Sequence, residues 1–180
     1  MIYRFVLLSD EVDNFGREIS IDSDATFQEL NDVILESVEY KQGEMASFFI
    51  CSEDWEKEKE ITLMDMGTDS SEEDTYVMSE TRLSDLIEDE GQKVLYVFDY
   101  MTDRCFFLEL EEVDSGSLKK GYCSKSKGDA PAQFVEFENF ETETKFEADE
   151  DFYGKDEFDM DELDADGYEF GEGDPYADKY

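Results

Sequence analysis

Lys93-Val94-Leu95-Tyr96-Val97-Phe98-Asp99-Tyr100 is the stretch that decides the fold. It is dense in Val, Tyr and Phe, the residue types that suit a pleated, half-buried surface, and it is too short for a helix of ordinary length. Met101-Thr102-Asp103-Arg104 follows as a polar turn. Cys105 to Val113 then reads as the returning strand, because Phe107, Glu109 and Glu111 alternate with Leu108 and Leu110. Two such runs joined by a short turn predict an antiparallel hairpin.

Upstream, residues 2–8 form a strand-like run ending at Asp10-Glu11. Asn14-Phe15-Gly16 predicts a turn, and Glu18-Ile19-Ser20-Ile21 alternates as a second strand paired to the first. Thr26-Phe27-Gln28-Glu29 has the spacing of a capping box, a hydroxyl at the N-cap with Glu three residues on. Phe27, Leu30, Val33, Ile34 and Val38 then recur at helical spacing, so an amphipathic helix of about three to four turns buries one face before Gln42-Gly43. Met45 to Cys51 reads as a strand around Phe48-Phe49-Ile50. The charge-dense Glu53–Glu60 predicts a loop or short helix, Ile61–Met64 a further strand, and Thr68–Asp74 a polar surface loop. Leu83, Leu86 and Ile87 mark a short second helix stopped by Gly91. The resulting class is α+β: a mixed or antiparallel sheet with one main packed helix and a short second one, β-grasp-like in outline.

Residues 1–113 constitute that domain. Residues 114–135 change character, with Gly, Ser and the clustered Lys119, Lys120, Lys125 and Lys127, and predict a linker or extended loop. Residues 136–180 carry 19 acidic and 3 basic residues, a net −16 in 45 positions, whereas residues 1–135 carry 33 acidic and 12 basic, a net −21. The last segment is therefore about twice as charge-dense, and is expected to be a disordered acidic tail.

The whole chain of 180 residues has a formal net charge of −37 and no histidine. Such a charge opposes binding to DNA, RNA or anionic membrane surfaces and favours a basic partner. Without His there is no His-based triad, His metal site or usual physiological-pH general base. Neither G-x-x-x-x-G-K-[ST], G-x-G-x-x-G nor G-x-S-x-G occurs. No enzymatic activity, cofactor or metal is expected. Glu162-Leu163-Asp164-Ala165-Asp166-Gly167 looks like half an EF-hand loop, but positions one and twelve hold Glu162 and Gly173 rather than Asp and Glu. Cys51, Cys105 and Cys123 are odd in number and lack C-x-x-C spacing, which reads as reduced thiols in a cytoplasmic protein. Asp10 and Glu11 interrupt the apolar start, and no apolar run reaches the ~18 residues of a membrane span.

The acidic segment interleaves ten aromatics with Asp and Glu, among them Phe152, Tyr153, Phe158, Tyr168 and Phe170. Exposed aromatics are costly in a purely solubilising tail. Acidic-aromatic alternation marks interaction segments, whose charge steers and whose rings anchor. Phe152, Tyr153, Phe158, Met160, Leu163, Tyr168 and Phe170 are the expected partner-binding residues, with Phe158 and Leu163 as anchors of an induced helical turn. The expected partner is a basic protein of the transcription, DNA-binding or translation machinery, with no direct contact to nucleic acid or membrane. The alternative is a mobile-element accessory domain with an inert solubilising tail.

Over roughly residues 2–113 the chain resembles the Ri-plasmid ORF-three-like family, also described as insertion-element passenger proteins of a TnpR type. The residues carrying the resemblance are Tyr3-Arg4-Phe5, Thr26-Phe27 with Leu30 and Ile34, and Leu83-Ser84-Asp85-Leu86. It continues through Gly91 to Tyr100 and into Leu108-Glu109-Leu110-Glu111. The resemblance implies an α+β fold and no established activity. Relatives typically end the first hairpin strand with Tyr-Asp-Phe-Gly-Asp, followed by Trp and His. Here Phe98-Asp99-Tyr100 keeps the start, while Met101, Thr102, Arg104 and Phe106 stand at the Gly, second Asp, Trp and His positions. Most of that polar cluster is lost, so its role in relatives is not expected here.

Overall fold

The hairpin lies at the middle of a broad sheet in the computed structural model, which describes residues 1–65 and 76–135. Strands are β1 (Ile2–Leu8), β2 (Gly16–Asp22), β3 (Ser47–Cys51), β4 (Lys57–Thr62), β5 (Tyr76–Val77), β6 (Lys93–Asp99), β7 (Arg104–Asp114) and β8 (Tyr122–Lys127). The helix α1 spans Phe27–Val38. Among the described residues all eight strands join one sheet in the order β5-β4-β3-β6-β7-β1-β2-β8. Only the β4–β5 pair is parallel; the other six are antiparallel. This is a mixed sheet with one main helix. The ββα opening is what it shares with a β-grasp outline; β1 is then antiparallel to both neighbours, β2 and β7.

The helix starts as its sequence dictates. Thr26 Oγ1 accepts from Glu29 N–H at 3.2 Å, and the Glu29 carboxylate accepts from Thr26 N–H at 2.8 Å. Two further orphan donors of the first turn go to the chain after β5: Phe27 N–H to Thr81 O and Gln28 N–H to Met78 O, each at 3.0 Å. The helix ends earlier than Gly43, with Glu39 in the left-handed region at φ 58°. Phe27, Leu30, Val33, Ile34 and Val38 are buried, as their spacing predicts.

Alternation decides what the helix meets. Tyr3, Phe5, Leu7, Ile19, Ile21, Phe48, Tyr96, Phe106 and Leu108 share the helix side of the sheet and are buried. Phe27 packs on Phe48 at 5.3 Å between ring centroids, and Phe48 on Tyr96 at 4.8 Å. Tyr96 O–H donates to Asn31 Oδ1 at 2.7 Å, so the one polar side chain that α1 turns inward is satisfied. The short second helix is a single 3-10 turn, Leu83–Asp85, with Leu83 and Ile87 in the core. Tyr3 O–H ties that turn down by donating to Ile87 O at 2.7 Å.

Two stretches differ from expectation. Lys57–Glu60, expected as loop or short helix, is the first part of β4; its side chains are exposed, and its backbone is held by the neighbouring β3. Residues 114–135, expected as a linker or extended loop, contain β8, which pairs with β2 from Ser20↔Tyr122 to Gly16↔Lys127. An edge strand exposed on both sides needs no apolar alternation, so a Gly/Ser/Lys composition conceals it. Glycine makes this docking feasible: a Cβ on Gly121 would stand 2.9 Å from Ile21 and 3.0 Å from Val33. Gly128, at φ +66°, passes so close that a Cβ would be 2.7 Å from Asn14 O. Thr68–Asp74 and the acidic segment 136–180 lie outside the described residues. Among the described residues no helix is long and apolar enough to cross a membrane.

Candidate functional site

The β6–β7 turn, where the hairpin motif falls, gathers most of the distinctive side chains. Asp99 ends β6 with its carboxylate turned into the turn. It accepts from Thr102 Oγ1 at 2.7 Å and from Met101 N–H at 2.9 Å, and Arg104 stands 4.0 Å away. The Thr102 hydroxyl, backed by the turn's N–H groups and Arg104, holds this carboxyl below the usual carboxylate range. Asp99 thus closes the turn, an Asx-type role. Asp103 lies in the left-handed region at φ 53° and pairs with Lys57 at 3.2 Å. Lys57 also sits 4.6 Å over the Phe49 ring, so the turn reaches back across the face opposite the helix.

Tyr100 crosses that same face. Its hydroxyl is hydrogen-bonded to Ser47 Oγ and lies 3.4 Å from Glu60 Oε1, and Ser47 Oγ donates to the same carboxylate oxygen at 2.8 Å. A serine, a carboxylate and a phenol in one cluster resemble a nucleophile with its base. Ser47 is fully buried, however, and its oxygen is engaged on both sides, so the cluster fastens β6 to β3 and β4. Burial pushes the Tyr100 phenol up, which keeps it a neutral partner.

Arg104, at the position of the relatives' Trp, is the side chain that sequence reasoning passed over. Its Nε and Nη2 donate to the two Glu11 oxygens at 2.9 and 2.8 Å. Nη2 also donates to Ala132 O at 2.6 Å, and Nη1 to Gln133 O at 3.3 Å. The guanidinium lies 5.1 Å from the Phe98 centroid. Tyr40 O–H donates to Pro131 O at 2.6 Å, and Gln133 exchanges two hydrogen bonds with the Lys41 backbone. Residues 131–133 are therefore strapped to the segment just after α1 and to the hairpin. Phe106, at the relatives' His position, is fully buried between Phe98 at 4.7 Å and Phe15 at 5.3 Å. At the hairpin motif this chain therefore has an aromatic core on one side and a structural cation on the other.

The three thiols are unbridged. Cys51 is buried and Cys105 half-buried; burial raises both, Cys105 to about 11, with Asp10 and Asp103 adding to the latter. Both are protonated at neutral pH, which agrees with packing roles. Lys120 pairs with Glu36 of α1 at 3.5 Å and Lys125 with Glu18 of β2 at 2.6 Å, so the basic stretch is partly neutralised by the domain itself. Two open clefts flank the fold. One, of about 490 Å³, lies beside α1 and is lined by Glu29, Asp32, Glu36 and Lys120. The other, of about 780 Å³, lies between the β3–β4 turn and residues 85–93, with Glu53, Asp85, Glu88, Asp89 and Glu90 on its walls. Among the described residues no group of three or more His, Cys, Asp or Glu could hold a metal ion. Phe152, Tyr153, Phe158, Met160, Leu163, Tyr168, Phe170 and the half EF-hand segment lie outside the described residues.

No curated protein matches the chain. The solved structure of a protein of unknown function from Methanosarcina mazei Go1 is similar in fold: TM-score 0.54 at 15% identity, covering 69% of this chain and 68% of that one. The family model of plasmid pRiA4b ORF-3-like proteins matches residues 2–169, well beyond the hairpin motif. The chain belongs to the plasmid pRiA4b ORF-3-like protein family.

Proposed function

We propose that this chain is a non-enzymatic interaction module whose acidic, aromatic segment 136–180 binds a basic protein that handles nucleic acid. The observation that carries this reading is the pairing, in one segment, of a net charge of −16 with ten aromatic residues. Charge alone would serve solubility; rings at this density serve contact. The domain supports the reading from the other side. Asp99, Tyr100 and Arg104, the polar groups at the hairpin motif, are engaged in closing a turn, joining strands and strapping residues 131–133. The segment would occupy a groove on the partner that otherwise holds phosphate, with carboxylates on Lys and Arg and with Phe158 and Leu163 in apolar pockets.

The test compares the full chain with a full-length variant carrying Ser at Phe152, Tyr153, Phe158, Tyr168 and Phe170. Both are used as bait for a basic, nucleic-acid-binding protein fraction at low and high salt. Retention by the wild type at low salt, release at high salt, and loss in the variant support the proposal. Equal recovery by both baits would leave the segment a solubilising one, and the chain a mobile-element accessory domain with its role elsewhere.

A further inference from the structure

Among the described residues nine large hydrophobic side chains are exposed, and seven of them lie at one end of the sheet: Leu8, Met45, Met64, Tyr100, Met101, Phe134 and Val135. The register places them. Leu8 ends β1, next to the start of β2. Ser47 at the start of β3 faces both Thr62 and Val97, so Met45, Met64 and Tyr100 all lie just beyond the same strand ends. Phe134 follows Gln133, which Arg104 and Lys41 hold at that end, and its ring lies 6.0 Å from Lys41 Nζ. Only Met1 and Tyr122 lie at the other end. Hydrophobics scattered singly over a surface need no explanation; a concentration of this kind marks a contact surface.

Chemistry says what fits there. Met45, Met64 and Met101 are 40%, 55% and 87% exposed, and unbranched thioethers make a surface that adapts to a partner's shape. The Tyr100 ring is the fixed point among them, since its hydroxyl is held by Ser47. The rim is acidic: the β1–β2 turn supplies Asp10 and Asp13, and the loop before β3 supplies Glu44. Of the cations at this end, Arg104 and Lys57 are committed to Glu11 and Asp103, and Lys41 lies by the Phe134 ring. A deformable apolar centre inside an acidic rim is complementary to a segment with apolar residues on one face and Lys or Arg on the other.

We infer that this end of the sheet, centred on Met45, Met64, Tyr100 and Met101, docks a basic amphipathic helix of a partner protein. The inference rests on the basic-partner reading above, and gives that partner a second foothold on the folded domain. Its test uses substitutions that leave every charge in place. The full chain is titrated, near physiological salt, with a labelled Lys/Leu peptide of about 18 residues patterned as an amphipathic helix. A scrambled peptide of the same composition is the comparison.

The triple variant M45S/M64S/M101S should bind the patterned peptide about tenfold more weakly than wild type, with M101S alone showing part of the loss. The wild type should prefer the patterned peptide over the scrambled one. Equal binding by wild type and triple variant overturns the inference. So does a wild type that self-associates through these methionines, because the occupant is then a second copy. The variant with Ser at Phe152, Tyr153, Phe158, Tyr168 and Phe170 separates the two readings. Loss only in that variant keeps the tail proposal and sinks this one; loss only in the methionine variant supports this one, and the tail proposal then stands or falls by its own bait experiment.

Discussion

Replacing Arg104 with Ala should loosen residues 132–133, leaving the strap to the Tyr40–Pro131 and Lys41–Gln133 hydrogen bonds, and destabilise the domain by about 2–4 kcal/mol. The contributions can be taken one at a time. The bidentate pair with Glu11 is partly exposed, since the carboxylate side chain is 33% accessible, so it is worth at most ~1 kcal/mol. The hydrogen bonds to Ala132 O and Gln133 O are charge-assisted, and together they are worth about 1–2 kcal/mol after exchange with water. The contact with the Phe98 ring adds ~0.5–1 kcal/mol, because the arginine side chain is only 10% exposed. With a urea dependence of about 2 kcal/mol per molar, the unfolding midpoint should fall by roughly 1–2 M at unchanged slope. R104K should recover part of the loss, as a point charge without the planar fork. Hydrogen exchange or limited proteolysis should find residues 129–135 opened in R104A well below the global transition. A midpoint shift under about 0.3 M, with 129–135 still protected, would mean that Arg104 does not hold this segment.

Four further outcomes follow from other contacts in the domain. Y96F should cost about 1–2 kcal/mol by thermal or urea unfolding, because it leaves the buried Asn31 oxygen without its donor. At alkaline pH the domain should unfold: burial raises the phenols of Tyr40 and Tyr96 above their unfolded values, so their contribution is complete below about pH 10 and is lost above it, and absorbance of tyrosinate should rise together with loss of structure. In acid the sign reverses for Asp22 and Asp99, whose carboxyls are held low by their hydrogen bonds; their contribution is present above ~pH 4 and lost below it, so D99N should flatten the acid limb of a stability-against-pH curve. With a thiol reagent at pH 8, Cys123 on the edge strand should label first, and Cys51 and Cys105 only as the domain opens.

Local patterns by themselves determined the main helix, the central hairpin and the α+β class. The Thr26–Glu29 reciprocal cap and the apolar face from Phe27 to Val38 are written within a dozen residues, and the structure uses them as written. The run Lys93–Asp99 and its return from Arg104 need only a neighbouring strand, which the turn provides. The charged strand Lys57–Glu60 and the lysine-bearing strand Tyr122–Lys127 were settled only by tertiary structure. Both are exposed, so no burial imprints a period on them, and their backbones become strands because β3 and β2 leave hydrogen-bonding edges to pair with. The strap at Arg104 was equally hidden: Glu11, Phe98 and residues 132–133 are far apart in sequence, and one guanidinium meets them only after the sheet has ordered its strands. The gathering of exposed methionines at one end has the same origin. Strand direction and register decide which loops share an end, and those are properties of pairing, not of any single stretch of chain.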